Sequence, residues 1–432
     1  LLGNVFTKMV SFFLLPLYTS RIEPSSYGVY GLVITILNVA VPIVFFSIWD
    51  SVFRLSFDYE DDNGKYQVLN NGFAVMLSGA VVFCIGIVAA YLLIGFDYPI
   101  LICLYSLAMG FQYYYTVIAR ALQDNNLFVV SGCVNSVVSI IINIVLIVAL
   151  GMGVDSLYIS YIFGVIVQIC IIEYKKRFIS YVSLKSVKVD TIKQYLKFSI
   201  PVTISAISNW LLNGLTQVFI TYQLGSYYNG LYNVANKFSS ILVLGIGVFQ
   251  FAWNEMAYDL AKEADKNIYY KRSISEILRI SLIGLSVLLL LVKLIYPFMV
   301  DDQYNESLNI IPILLIGTLA NAYAGFLGTL FLADKKSFSL FTTTLFAGIV
   351  NLVGLNIFIP QFGFIGSILS LCLAFVSYSV VRVVLLKKEM NIAPYIYSIY
   401  PILLLILSVA VFYLVDSRVY LVISMIIIGS LG

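Results

Sequence analysis

Ser205, Asn209, Asn213 and Gln217 recur at every fourth position of an otherwise apolar stretch, so they share one face of a helix. The next stretch carries Asn229, Asn233 and Lys237 at the same interval, with Asn236 one residue off. Two chemistries fit such stripes: amides and hydroxyls can line a polar path that shelters a hydrated group, or they can hydrogen-bond neighbouring helices to one another. Lys237 is the sharper case, because it lies roughly 12 Å into its stretch at ~1.5 Å per residue. A lysine at the centre of a membrane helix costs about 2.5–3.5 kcal/mol on insertion scales. It should therefore face water, a counter-charge or a bound anion, unless it snorkels to the interface. Lys8 on the first stretch is comparable, and Asn38 on the second joins the candidate polar lining. Asp50 and Arg54, four residues apart, form either part of that lining or a local salt bridge. Arg120 could guard the mouth of the path. Asp50 and Glu255 are the carboxylates that could take up a coupling ion, although neither lies deep, and Glu255 beside Trp253 reads more readily as an interfacial anchor. Ser131, Asn135, Ser139 and Asn143 repeat the spacing but lean to packing, and Lys293 is expected to snorkel.

Composition removes other chemistry. There is no histidine, which excludes His-based acid–base catalysis, Ser-His and Cys-His nucleophile pairs and almost every zinc site. Cys84, Cys103, Cys133, Cys170 and Cys372 are scattered singly, so neither a disulfide frame nor a metal site is expected. No phosphate-binding GxxxxGK[ST] loop occurs, so any uphill movement must draw on an ion gradient, a substrate gradient or a partner. No cofactor is expected, with an H+ or Na+ gradient the candidate energy source.

The elements that must position these residues are membrane spans. Hydrophobic residues make up 61% of the chain and charged residues 11%, against about a quarter charged in a soluble domain. A helix needs about 20 apolar residues to cross the ~30 Å hydrocarbon core. The pattern predicts an all-α polytopic membrane protein with spans at 2–22, 28–54, 71–95, 99–121, 127–150, 155–173, 196–222, 229–256, 277–299, 306–332, 338–358, 363–386 and 395–415. A further stretch, 419–432, is too short to span. Because the chain starts at Leu1, it is expected to be a fragment clipped at both ends, with no separate signal peptide.

Lys65, Arg120, Lys175, Lys176, Arg177, Lys185, Lys188, Lys193, Lys197, Lys262, Lys266, Lys271, Arg272, Lys335, Lys336, Lys387 and Lys388 all fall on one side of this topology. The opposite loops hold only Arg21 and Arg418, and one of them, Asp301 to Glu306, is acidic. The positive-inside rule then puts the N-terminus in the cytoplasm. Basic loops of this kind report orientation, not nucleic-acid binding.

The long polar stretch after the sixth span divides the chain, and similar residues recur across it. Ser26-Tyr27-Gly28-Val29-Tyr30 corresponds to Tyr228-Asn229-Gly230-Leu231-Tyr232, and Trp49-Asp50 to Trp253-Asn254. Asp124 and Gly153 correspond to Asp334 and Gly363. Six spans in each half make the repeat parallel, related by an axis along the membrane normal. The expected domains are a six-helix lobe over 1–173, a basic linker over 174–195, a second six-helix lobe over 196–388 and an additional helix pair over 389–432.

The run from Lys8 through Phe12-Phe13-Leu14-Leu15-Pro16-Leu17-Tyr18-Thr19-Ser20-Arg21 to Glu23-Pro24-Ser25-Ser26-Tyr27-Gly28-Val29-Tyr30 resembles the opening of bacterial polysaccharide-biosynthesis flippases. Arg54 late in the second span and Leu224-Gly225 with Gly230-Leu231-Tyr232-Asn233-Val234-Ala235-Asn236-Lys237 are similar to the same family. These flippases export lipid-linked O-antigen or capsule repeat units and belong to the multidrug/oligosaccharidyl-lipid/polysaccharide (MOP) exporter superfamily. The resemblance implies a MATE-like pair of six-helix lobes around a central polar cavity, lined by the first two helices of each lobe. It implies an oligosaccharide linked through diphosphate to undecaprenol as substrate, turned from inner to outer leaflet of the bacterial inner membrane. Lys237 would then pair with the diphosphate, and membrane lipids, a glycan polymerase and chain-length machinery would be the partners. The deep charges are fewer than such a cavity leads one to expect. Two rivals remain at this point. A MATE-type multidrug exporter would carry a deep acidic residue, and none is evident. A glycan polymerase or ligase would carry a long outer loop with catalytic residues, whereas the outer loops here are short.

Overall fold

The computed structural model describes residues 12–183, 187, 189–261, 263, 265–334, 336–394, 399–415 and 417–431. Lys8, Lys185, Lys188, Lys262 and Lys335 lie outside the described residues. Helices follow one another without a strand among those described: α1 (Leu15–Arg21), α2 (Pro24–Val44), α3 (Ile48–Ser56), α4 (Asp62–Ile94), α5 (Pro99–Ala121), α6 (Asn125–Ile144) and α7 (Asp155–Lys176). After a short α8 (Phe178–Tyr181) come α9 (Val189–Asn213), α10 (Leu215–Leu224), α11 (Ser226–Leu260), α12 (Lys266–Met299), α13 (Ile311–Ala333), α14 (Ser337–Met390), α15 (Tyr400–Leu414) and α16 (Arg418–Leu431). Among the described residues, nine helical stretches are long and apolar enough to cross a bilayer. Helices are the form this chain must take in lipid, because each backbone N–H and C=O has to be satisfied within its own segment.

Proline and glycine set the interruptions. Pro42 lies inside α2 and cannot donate to the carbonyl four residues back, which frees the carbonyl of Asn38. The chain then leaves the helix at Phe46 and Ser47, both with positive φ, before α3 resumes. The seventh predicted span is likewise two helices, α9 and α10, joined at Gly214. The eleventh and twelfth form one hairpin, α14, which turns back at Gly363 (φ 56°, ψ −132°), a conformation that only glycine adopts without strain. The return is closed at the far end by Lys336 and Glu389, 3.3 Å apart.

The chain divides into two compact units, one of residues 1–10 and 33–210, the other of residues 11–32 and 211–432. In the first, amides lace α5 and α6 to α7: Asn135 Nδ2 and Gln112 Nε2 both donate to Gln168 Oε1 (2.8 and 2.9 Å), and Asn143 Nδ2 donates to Ser160 Oγ (2.9 Å). The polar face of the fifth span is therefore packed against a neighbouring helix, as its residues suggested. The α9 helix joins the same unit through Ser51 Oγ donating to Tyr195 O (2.7 Å), Thr203 Oγ1 to Ser47 Oγ (3.2 Å) and Trp210 Nε1 to Thr35 O (2.6 Å).

The second unit is built on a core of Trp253, Tyr270, Phe326, Leu327 and Phe331. A separate cluster of Leu290, Leu404, Leu421 and Ile428 seats α15 and α16 on α12. Lys293 does not simply snorkel: its Nζ donates to the carbonyls of Phe412 (2.5 Å) and Val415 (2.7 Å) at the end of α15. A cation there meets the carbonyls that the helix leaves unpaired and the negative end of its dipole.

Candidate functional site

In the second unit, α11 presents Asn229, Asn233 and Lys237 at successive turns. Asn233 is committed to structure: its Oδ1 accepts from Gln217 Nε2 (2.8 Å) and its Nδ2 donates to Tyr27 O (3.1 Å). Gln217 is buried, and Asn229 is fully buried with its Nδ2 on Gly28 O (2.8 Å). One turn deeper, Lys237 is half-buried, while Asn236 beside it is exposed. Asn213, at the end of α9, is exposed as well. Gln217, Asn233 and Lys237 thus stand on adjoining turns of α10 and α11, the first two bonded to each other.

Ser205, Asn209 and Asn38 belong to the first unit and are all exposed; Asn209 Nδ2 bonds back to Ser205 O (3.1 Å). Amides facing hydrocarbon are costly, so exposed Asn side chains on spanning helices are suited to a wet path rather than to lipid.

The first unit also gathers the charged candidates. Arg54 pairs with Asp58 (2.8 Å), one turn further on, and not with Asp50. At the end of α3, Asp58 is the more exposed carboxylate and costs less to hold charged. Asp50 instead lies half-buried in the first turn of α3, within electrostatic reach of Arg120. The Arg120 guanidinium sits 4.2 Å over the Phe53 ring and 5.6 Å from Phe128, and Trp49 stacks on Tyr113 at 4.9 Å. Arg120, at the end of α5, therefore sits in an aromatic frame against α3, whose first turn carries Asp50.

In the turn before α6, Asp124 caps the helix through Leu127 N (3.0 Å) and meets Lys176 (3.0 Å) and Lys175 (3.3 Å). The cap hydrogen bond, and then the lysines, hold its carboxyl down to about 2. Its counterpart Asp334 is paired with Lys266 at 2.8 Å. Glu255 is exposed beside buried Trp253, whose indole donates to Phe326 O (2.9 Å).

Two polar centres escape a reading of the chain by spacing. Gln250 Nε2, Asn254 Oδ1 and Thr329 Oγ1 form a closed triangle of hydrogen bonds at 2.7–3.1 Å between α11 and α13. Arg382, in the second arm of α14, is only 2% exposed. Its Nε donates to Thr343 Oγ1 (3.1 Å), its terminal nitrogens donate to the carbonyls of Ala324 and Leu340 and to Thr344 Oγ1, and its plane lies 4.1 Å over Tyr378. The signal was an arginine set alone among Val380, Val381, Val383 and Val384.

Residues 1–253 match the family described as polysaccharide biosynthesis protein. No curated protein matches the chain. Among solved structures, the fold is similar to a multidrug resistance MATE family transporter of the MOP superfamily in an inward-facing conformation: TM-score 0.73, 15% identity, 90% of this chain and 98% of that one. It is also similar to the lipid II flippase MurJ in an inward closed conformation, with TM-score 0.70, 14% identity, and 100% of this chain against 96% of that one. An outward-facing MATE transporter aligns at TM-score 0.60 and 14% identity, over 90% and 93% of the two chains. At these identities the likeness is one of fold, and the proteins sharing it are transporters and flippases, not enzymes. With well over half its length inside the family match, this multi-pass membrane protein of MATE-like fold belongs to the polysaccharide biosynthesis protein family.

Proposed function

We propose that the chain carries an oligosaccharide linked through diphosphate to undecaprenol from the inner to the outer leaflet of the bacterial cytoplasmic membrane. The observation that carries this reading is the family match over residues 1–253. The polar residues support it: a half-buried lysine on a spanning helix, flanked by amides, is suited to a diphosphate, for which Lys serves as a point charge. Exposed Asn38, Asn209, Asn213 and Asn236 would solvate the sugars. The path would lie between a lobe of residues 1–173 and a lobe of 196–388, joined by the basic segment 174–195 and followed by a helix pair over 389–432. Alternating access, with the N-terminus in the cytoplasm, would expose the path to each side in turn. Asp50, half-buried where Glu255 is exposed, is the better placed of the two carboxylates to couple an H+ or Na+ gradient. A polymerase and chain-length machinery would receive the product outside.

Leaflet-resolved labelling of the glycolipid in cells tests the reading. Depletion of the protein should leave the glycolipid on the cytoplasmic leaflet; Lys237→Ala should do the same at unchanged protein level, and Lys237→Arg should restore transfer in part. Normal crossing in depleted cells that hold no second flippase would refute it, and drug efflux would become the next activity to assay.

A further inference from the structure

Gln250 and Asn254 stand four residues apart on α11, and Gly325 and Thr329 four apart on α13, so each helix brings one face to their triangle of hydrogen bonds. Gln250 Nε2 donates to Asn254 Oδ1 (2.8 Å) and to Thr329 Oγ1 (3.1 Å), and Thr329 Oγ1 donates to Asn254 Oδ1 (2.7 Å). Asn254 thus receives two hydrogen bonds on one oxygen, which occupies both lone pairs and fixes which way its amide lies. The triangle consumes the Gln250 donors and the Asn254 acceptor. It leaves the Asn254 Nδ2 donors and the Gln250 Oε1 acceptor, neither of which has a partner among the described residues.

Helix joining accounts for the inner side of this network and not for its outer side. Thr329 is 4% exposed, whereas Gln250 and Asn254 are each only half-buried. Gln250 Oε1 lies beside Gly325, where a β-carbon would stand 3.4 Å from it, so bare backbone flanks the open acceptor. Amide groups without partners are costly in hydrocarbon, which sets this side against water or a ligand. A donor and an acceptor held on one network match neighbouring sugar hydroxyls, each of which both gives and takes a hydrogen bond. A neutral ligand suits them better than an anion, because neither amide is charged and the exposed Glu255 follows Asn254 directly. The triangle lies within two turns of the ends of α11 and α13. Beyond those ends stand Lys266 and Lys336, on the side that the function proposed above assigns to the cytoplasm.

We propose that Gln250 and Asn254 form a sugar subsite on the second unit: Asn254 Nδ2 donates to one hydroxyl of the carried oligosaccharide and Gln250 Oε1 accepts from a neighbouring one. Thr329 is a positioning residue that holds both amides in place. The assignment of the ligand as a lipid-linked sugar rests on the function proposed above.

The test turns on Asn254→Asp, which keeps an oxygen for Gln250 Nε2 and Thr329 Oγ1 and so preserves the triangle, but removes the donor pair. Two lipids are compared on the purified full chain in detergent. One is undecaprenyl-diphosphate oligosaccharide extracted from cells depleted of the protein, the other sugar-free undecaprenyl diphosphate. Affinity is read from the rise in melting temperature with lipid concentration. Asn254→Asp should bind the oligosaccharide lipid about tenfold more weakly than the parent, over and above any change with the sugar-free lipid, because a sugar hydroxyl loses its partner. The sugar-free lipid cancels any repulsion between the new carboxylate and the diphosphate. Thr329→Val, which unpins Asn254, should show a smaller loss of the same kind, and Thr329→Ser, which keeps the hydroxyl, should bind like the parent. No loss specific to the oligosaccharide lipid in a folded Asn254→Asp or Thr329→Val, or an equal loss for both lipids, would overturn the subsite and leave the function standing. A parent that binds neither lipid would overturn both.

Discussion

Arg382→Met replaces a buried cation by an apolar side chain of similar length, and the balance of terms decides the sign. Removing the charge returns up to about 3 kcal/mol of desolvation, the scale of a central arginine in a membrane helix. Against that stand the hydrogen bonds to Thr343, Thr344, Ala324 and Leu340, the last two of which are carbonyls on other helical stretches. Measured side-chain hydrogen bonds in membrane proteins average about 0.6 kcal/mol and reach about 1.7, so four at the average are worth roughly 2.5 kcal/mol. The desolvated stack on Tyr378 adds about 1–2 kcal/mol. The net expectation is a loss of roughly 1 kcal/mol. Thermal unfolding in detergent, followed by tryptophan fluorescence, should therefore show Arg382→Met melting about 1–2 °C below the parent. Arg382→Lys should fall between, since it keeps the charge but loses the planar fork. Gly328→Ala, which would press a β-carbon on the guanidinium, should destabilise in the same direction and add less than fully to Arg382→Met. A methionine variant as stable as the parent, or more so, would show that the arginine costs what it contributes and would refute the reasoning.

Three further outcomes follow from the polar contacts. Asp124→Asn keeps an N-cap acceptor and removes the charge facing Lys175 and Lys176. Because the folded carboxyl titrates at about 2, below an unfolded value of about 3.9, its stabilisation is complete above pH ~4 and lost as pH falls through the folded value. The variant should melt below the parent at pH 7, and the gap should narrow as the pH is lowered toward 2. Arg54→Ala should change stability by no more than about 0.5 kcal/mol, because its pair with Asp58 is exposed on both sides; a larger loss would mean that Arg54 has another partner. Lys293→Met should free the end of α15, read as faster amide exchange across 400–431 with α4 and α5 unchanged; equal exchange in α15 would assign the lysine no capping role.

The spans were legible because lipid leaves little choice: long apolar runs bounded by Pro, Gly and Asn became helices among the described residues, although α4 and α12 begin about ten residues before the predicted limits, where polar residues extend the helix, and the start of the span predicted at 2–22 lies outside the described residues. Where helices break was less so. Pro42 announces a weakened turn, but nothing in Phe46 or Ser47 foretells positive φ. Spacing found the Ser205, Asn209, Asn213 and Gln217 stripe and the Asn229, Asn233 and Lys237 stripe but could not tell structural from exposed positions, since period alone does not say what lies opposite. Asn233 turned out to bind its neighbours, while Asn209, Asn213 and Asn236 remained exposed. Arg54 took Asp58 over Asp50 because both stand one turn away and only geometry separates them. Arg382 was missed for a different reason: its partners are backbone carbonyls and threonines contributed by α13 and the first arm of α14, and no local pattern records them.

The central claim, that this chain moves a diphosphate-linked glycolipid across the bilayer, is tested most directly in proteoliposomes holding the purified protein and a fluorescent undecaprenyl-diphosphate oligosaccharide. The fraction of fluorophore reached by a membrane-impermeant quencher is followed over time. The account predicts that transfer between leaflets rises well above that of protein-free liposomes and falls back toward it with Lys237→Ala. Transfer indistinguishable from protein-free liposomes, by a protein shown to be folded, would contradict it.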